Sequence, residues 1–238
     1  GMSIISAKDV VVRNSIFKNT KGTLPGAGLD IEPNSKQDRI QGIYFYDCTF
    51  IRNDHAGIVL ALHNLEGTSI PVEISFFNCL IEDNHDENNK YVASELIFNA
   101  HKTNPVKGMV TFEDCRVKDS QWGLFYSRKT TKAYKVLFKN CAAIDICKAG
   151  TYSPIYLEVP DYFKGSYKLG GYEFDKLTMK VESRVPYLVI RGSTLPTLKN
   201  VSNISGEITI IGTAVPKIDY IKYDESNNVN VNIKVIKK

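Results

Sequence analysis

The sequence predicts an all-β fold, a right-handed parallel β-helix (a solenoid of stacked strands) of about seven turns with a C-terminal β cap. Three observations support this prediction. An Asn or Asp followed by Cys or Ser recurs at intervals of 26 to 36 residues, an alternating apolar strand precedes each copy, and a second short strand follows. No ten-residue stretch shows helical periodicity, so helical repeats are disfavoured.

The recurring dipeptide marks the end of one strand in each turn. Its five clear copies are Asn14-Ser15, Asp47-Cys48, Asn78-Cys79, Asp114-Cys115 and Asn140-Cys141. Apolar residues stand two and four positions before each copy, as Phe45 and Ile43 do before Asp47, which is typical of a strand with one buried face. Weaker copies near residues 176 and 200 bring the count to about seven. Irregular spacing between regular strands predicts loops of variable length around a constant core.

The second strand series lies between these copies. Its members are 28–31, 57–60, 95–98, 123–126, 154–157 and 187–190. Two short strands in a turn of about 24 to 36 residues fit a parallel β-helix better than leucine-rich, ankyrin or propeller repeats. The right hand is expected because parallel strands joined by crossovers almost always wind that way.

Four of the five cysteines occupy the same repeat position and are predicted to stack inside the solenoid as free thiols. Neighbours would lie about 4.8 Å apart with parallel Cβ directions, which is the wrong torsion for a disulfide. Burial among apolar side chains also disfavours metal-bound thiolates. Cys147 lies outside the repeat and is given no role, and the Asn/Asp column is predicted to be structural, satisfying amides at a bend.

Chemistry is therefore expected on the outer flank of the second strand series. If Leu29 and Ile31 point inward, Asp30 and Glu32 point outward, and the flank continues through later turns. The candidate catalytic residues are Asp30, Glu32, His63, His101 and Arg128. The candidate substrate-binding residues are Asn99, Lys102, Phe125, Lys129, Tyr156 and Glu158. The alternative is a solvated outer face without function, and it is the clustering of these residues that favours a groove. The aromatic-rich segment 160–171 would form one wall, while segments 18–27 and 83–93 would cover outward apolar residues.

Asp30 and Glu32 would project to the same side about 6.6 Å apart at Cα. This spacing suits the acid and base of a glycosidase, Ca²⁺ ligation, or simple attraction of cations. Two close carboxylates should raise one carboxyl pKa, and a neighbouring Lys or Arg would cancel the effect. No metal site and no cofactor are predicted, Ca²⁺ being the one ion considered.

The chain resembles bacterial right-handed parallel β-helix repeat proteins of the pectate-lyase-like superfamily. The segments that carry the resemblance are 14–23 (Asn-Ser-Ile-Phe-Lys-Asn-Thr-Lys-Gly-Thr) and 28–33 (Gly-Leu-Asp-Ile-Glu-Pro), and it covers about residues 3 to 160. The resemblance implies a secreted, periplasmic or cell-surface protein, although the chain has no signal peptide. Such relatives carry more preceding turns, so an N-terminally truncated member is expected. Val59 and Ile97 replace the acidic residues that pectate-lyase-type sites place there, which weakens the calcium hypothesis.

Composition and charge limit the partners. The chain has 238 residues, 43% of them hydrophobic and 24% charged, which is ordinary for a soluble protein, and no apolar run approaches the ~20 residues of a membrane span. The net charge is +4, with basic residues concentrated between residues 102 and 135, which favours an anionic glycan; no nucleic-acid motif accompanies them. Residues 1–212 are predicted to form the β-helix and 213–238 the cap. The uncapped N-terminal turn predicts a missing segment or a homodimer.

The predicted function is a carbohydrate-active protein that binds or acts on a polysaccharide or oligosaccharide along this flank, as a hydrolase or lyase of the pectate-lyase type. Two alternatives stay open: a non-catalytic glycan-binding module, and a structural or assembly β-helix without enzymatic role. The fold alone does not choose among them, so whether the chain is an enzyme is left open.

Overall fold

The computed structural model describes residues 1–22, 25–85 and 94–238, and this part of the chain is organised as two long parallel sheets. Sheet A has eight strands. In spatial order they are β1 (Met2–Ile4), β4 (Leu29–Ile31), β7 (Ile58–Leu62), β10 (Ser94–Ala100), β13 (Gly123–Ser127), β16 (Ile155–Glu158), β18 (Pro186–Arg191) and β20 (Val215–Ile221).

Sheet B contains the remaining strands and bends back on itself. One arm consists of β2 (Ala7–Arg13), β5 (Ile40–Tyr46), β8 (Val72–Phe77), β11 (Gly108–Glu113) and β14 (Lys135–Lys139). The other arm consists of β3 (Ile16–Lys18), β6 (Thr49–Ile51), β9 (Leu80–Glu82), β12 (Arg116–Lys118) and β15 (Ala142–Ile144). The long strand β17 (Ser166–Val181) joins both arms, β19 (Thr197–Gly212) pairs with β17, and β21 (Val229–Lys237) pairs with β19.

The chain visits sheet A, then the two arms of sheet B, and returns to sheet A one strand further along. Every strand pair is parallel, so the arrangement indicates a β-solenoid and confirms the all-β, parallel part of the predicted fold. In the described ranges the single helical turn is a 3₁₀ turn at Glu225–Asn227, and no helix is long and apolar enough to cross a membrane.

The core lies between the sheets and follows the predicted alternation. The phenylalanines of the first arm form a continuous stack, with neighbouring ring centroids 4.7 to 5.9 Å apart. They are Phe45, Phe76, Phe112, Phe138 and Phe174. All five are 0 to 1% exposed, so each level buries a large apolar side chain against the levels above and below it.

The Asn/Asp column forms the bend between the two arms of sheet B. Its residues have φ between 50° and 55°, the left-handed region that Asn and Asp tolerate better than other residues with side chains. The column also links levels, because Asn78 Nδ2 donates to Asp47 Oδ1 at 2.7 Å. A second left-handed column, which the sequence interpretation missed, ends the strands of the other arm. It consists of Asn19, Arg52, Asp83, Asp119 and Asp145.

All five cysteines are free and buried, as predicted for the ladder. The thiols of the four ladder cysteines donate to backbone carbonyls; Cys141 Sγ, for example, lies 3.3 Å from Phe112 O. Cys147, which was given no place in the repeat, is also fully buried in the core. Residues 213–238, predicted to be a cap, supply the last strand of each sheet, β20 and β21.

Candidate functional site

The predicted flank is the outer face of sheet A, where strand register aligns the outward residues in rows. One row runs through Asp30, Val59, Ile97, Tyr126 and Tyr156. This row is less solvated than expected. Val59 and Ile97 are each 6% exposed and belong to a small apolar cluster on the outer face that also includes Tyr126. Most of segment 83–93, the predicted cover, lies outside the described residues.

The predicted side-chain directions in β13 were wrong by one residue. Phe125 was expected to point outward, which by strand alternation also places Ser127 outward, but both are buried, and the Phe125 ring stacks on the core ring of Phe138 with 5.5 Å between centroids. The reason is the register: Phe125, not Leu124, pairs with the inward Leu96. Tyr126 therefore takes the outward position, and Phe125 is not available to a ligand.

Lys129 was also expected on the surface and is fully buried. Its ammonium group lies beneath a glycine pair with positive φ and donates to Gly170 O at 2.6 Å and Gly171 O at 3.1 Å. The Tyr172 ring centroid is 4.3 Å away. Burial lowers the pKa of Lys129 to about 7, because the charged form loses its hydration. A side chain in this position cannot contact a substrate on the flank.

A cavity of about 640 Å³ opens on the flank at the ends of the sheet A strands. It is lined by His63, Asn64, Asn99, Ala100, His101, Lys102, Arg128, Pro160, Tyr162 and Tyr167. Five of these were predicted site residues: His63, Asn99, His101, Lys102 and Arg128. Pro160, Tyr162 and Tyr167 come from the aromatic-rich segment that was expected to form a wall. Asp30, Glu32, Tyr156 and Glu158 do not line the cavity.

Several contacts fix the cavity side chains. Lys102 Nζ lies 4.2 Å from the Tyr162 ring centroid, and the Tyr167 hydroxyl donates to Arg128 O at 2.5 Å. His101 Nδ1 accepts a hydrogen bond from the Asn104 amide at 3.2 Å. The ring proton of neutral His101 is therefore on Nε2, and His101 presents a donor to a ligand.

Next to the cavity, the outer face carries a buried charge cluster centred on Glu158. Glu158 is 5% exposed and forms ion pairs with Arg128 Nη2 at 3.6 Å and Arg191 Nη1 at 3.5 Å. The Tyr126 hydroxyl donates to the same carboxylate, and burial raises the pKa of this tyrosine. Glu158 was predicted to contact substrate, but its carboxylate is instead occupied by these neighbours. Arg191 is not among the candidate site residues that the sequence predicted.

Tyr156, another predicted substrate-binding residue, is half-buried beside this cluster. Its hydroxyl interacts with Arg191, and its ring centroid is 5.9 Å from that of Tyr126. Tyr156 therefore contacts the cluster and does not line the cavity.

Asp30 and Glu32 form a separate carboxyl pair. Asp30 is only 6% exposed, and its pKa is raised to about 7, first by burial and then by the charge of Glu32 and a hydrogen bond with it. The predicted like-charge effect is present but is the smaller cause. Among the described residues, no group of three or more acidic, His or Cys side chains could hold a metal ion.

Comparison with known proteins does not identify a family. No family model, curated protein or solved structure gave a significant match to the chain. The resemblance to pectate-lyase-like β-helix proteins therefore rests on the two segments quoted above, and activity has to be argued from the cavity itself.

Proposed function

We propose that the protein binds a uronate-containing oligosaccharide in the cavity on the outer face of sheet A. The observation that carries this proposal is the charge of the lining: Lys102 and Arg128 supply positive charge, His63 and His101 supply ring nitrogens, and none of the described lining residues is Asp or Glu. Such a site attracts an anion, and the arginine fork suits a carboxylate.

The other lining residues favour a sugar over a small inorganic anion. The amides of Asn64 and Asn99 match hydroxyl groups, and Tyr162, which is 60% exposed, offers an aromatic surface at the rim. The backbone at Asn99 is fixed because its main-chain carbonyl accepts a hydrogen bond from the Tyr134 hydroxyl at 2.9 Å. The proposal keeps the expected right-handed winding of about seven turns and a location outside the cytoplasm.

A second candidate function is cleavage of the same ligand by β-elimination. The favouring observation is that the cavity combines an exposed imidazole, His63, with the cations Lys102 and Arg128. In this reaction the cations would neutralise the uronate carboxylate, and His63 would accept the proton from the adjacent carbon. The glycosidic C–O bond would then break, leaving an unsaturated uronate and a new reducing end, with the proton returning to the leaving oxygen. We do not propose hydrolysis, because the carboxyl pair Asp30 and Glu32 lies outside the cavity.

The test is calorimetric titration with trigalacturonate, with uncharged maltotriose as the neutral comparison. We expect binding of trigalacturonate only, weakened at least about tenfold by Arg128→Ala, the scale of one charge-assisted contact. Lys107→Ala is the matched control because the substitution also removes one positive charge, and Lys107 is exposed and does not line the cavity. Equal affinity for both sugars, or equal loss in both variants, would refute the binding site.

The same samples distinguish a binder from a lyase. Absorbance near 235 nm that grows with time and disappears in His63→Ala would support elimination, whereas binding without absorbance would leave a non-catalytic module. Loss of the absorbance on adding EDTA would restore the calcium hypothesis.

A further inference from the structure

The two arginines beside Glu158 offer an anion-binding surface that extends beyond the cavity. Each guanidinium of Arg128 and Arg191 approaches Glu158 at 3.5 to 3.6 Å, which is longer than an N–H···O hydrogen bond. Glu158 therefore attracts both groups chiefly by charge, while the hydroxyls of Tyr126 and Tyr156 form hydrogen bonds with the Arg128 and Arg191 guanidinium groups. The Nε atoms of both arginines are buried without a hydrogen-bond partner among the described residues.

The cluster also retains positive charge and access to solvent. Two guanidinium groups share one carboxylate, so the three side chains together carry about one positive charge. The side chains of Arg128 and Arg191 are each 36% exposed, whereas that of Glu158 is 7% exposed. An anion arriving from solvent would meet the arginines and not the carboxylate.

The two arginines are spaced along the solenoid axis. Arg191 is the register partner of Glu158 in the neighbouring strand β18, and Arg128 directly follows β13, which pairs with β16 on its other side. Arg128 and Arg191 are thus two strands apart, about 9.5 Å along the axis. Only Arg128 lines the cavity.

We propose that Arg191 forms a second anion subsite beyond the cavity, with Glu158 positioning both arginines, so that the ligand carries at least two carboxylates arranged along the solenoid axis. This inference rests on the proposed function, because the first carboxylate is the one bound in the cavity at Arg128. The competing interpretation is that Arg191 only neutralises Glu158 and contacts no ligand.

Ligand length separates these interpretations. Affinities for galacturonate and for trigalacturonate are measured with the wild type and with Arg191→Ala. Arg184→Ala is the matched control, since Arg184 is exposed in the turn before β18, the strand that ends in Arg191. We expect Arg191→Ala to weaken trigalacturonate about tenfold and galacturonate less than about twofold, because only the longer ligand reaches the second subsite. The control should change neither.

Each other result overturns the inference in a recognisable way. If Arg128→Ala weakens binding but Arg191→Ala affects both ligands equally or neither, the second subsite is refuted and the cavity proposal stands. If the wild type binds no galacturonate of any length, both proposals fail together.

The positioning role of Glu158 is tested by Glu158→Gln. We expect the ratio of trigalacturonate to galacturonate affinity to fall, because the two guanidinium groups lose the charge that holds them. General damage to the fold would lower the unfolding temperature and both affinities without changing the ratio. An unchanged or larger ratio would refute the positioning role.

Discussion

Replacing Lys129 with Met should remove a pH dependence from the stability of the protein. Lys129 is fully buried, and its pKa is lowered from 10.5 to about 7 by loss of hydration. Between these two pH values the unfolded chain binds a proton at this position that the folded chain does not. Stability therefore rises with pH across this interval, and the stabilising difference is lost as pH falls towards 7.

The magnitude follows from the two pKa values. Raising the pH from 7 to 9 should add roughly 2 kcal/mol to the free energy of unfolding, since each pH unit is worth about 1.4 kcal/mol per proton and the folded group is half protonated at pH 7. Met has a similar length but no titratable group. The variant lacks the hydrogen bonds from Lys129 to Gly170 O and Gly171 O at either pH, so the difference between the two pH values isolates the effect of the charge.

The assay is urea denaturation of the wild type and Lys129→Met at pH 7 and pH 9, with Lys132→Met as the control for an exposed lysine three residues away. Wild type and control should gain the same increment at pH 9, and Lys129→Met should gain about 2 kcal/mol less. If all three proteins respond equally to pH, Lys129 is not desolvated in the folded state and its buried position is refuted.

Two further predictions concern the buried acid and the bends. Glu95 is fully buried, and burial is the main reason that its pKa is raised from 4.5 to about 7. Its contribution to the free energy of unfolding should therefore fall by roughly 2 kcal/mol from pH 5 to pH 8. Denaturation at the two pH values should show that Glu95→Gln removes this fall; a variant that keeps the wild-type dependence would contradict it. Asn78 has φ 51°, so Asn78→Val should lower the free energy of unfolding by about 1 to 2 kcal/mol more than Asn78→Gly, as measured by thermal unfolding; equal losses would exclude backbone strain as the cause.

The repeat could be predicted from the sequence because its signals are local. The bends require a left-handed residue, and Asn or Asp supplies it at Asn14, Asp47, Asn78, Asp114 and Asn140. Apolar residues recur two and four positions before each of these Asn or Asp residues, so the buried faces of the strands can be assigned without long-range information. The second column of bends, which was missed, carries the same signal at Asn19, Asp83, Asp119 and Asp145, and only Arg52 departs from it.

Side-chain direction in β13 could not be predicted from the same signals. In Gly123–Ser127 three consecutive residues, Leu124, Phe125 and Tyr126, are apolar or aromatic, so alternation does not distinguish the two faces. The predicted segments 57–60 and 123–126 align Gly123 with Gly57, but the strand pairing places Leu124 at the level of Gly57. The deciding contact is the packing of Phe125 on Phe138 and Tyr172, which come from other strands. Such packing depends on residues of other strands and cannot be predicted from the sequence of β13 alone.

The one-residue error in β13 also affects how the residues after the strand are assigned. If Phe125 and Ser127 point outward, Arg128 does not belong to the outward row, and its relation to Glu158 is not apparent. In the correct register Arg128 continues the outward row of β13, Glu158 occupies that row in β16, and Arg191 occupies it in β18. A carboxylate flanked by two arginines at consecutive levels is then readable from sequence alone. The cavity is different in kind, because His63, Lys102, Arg128 and Tyr162 follow four different strands and meet only through the lengths and paths of their loops. For a solenoid, strand register can therefore predict charge pairs between levels, whereas cavities at the loop ends depend on packing that only the structure provides.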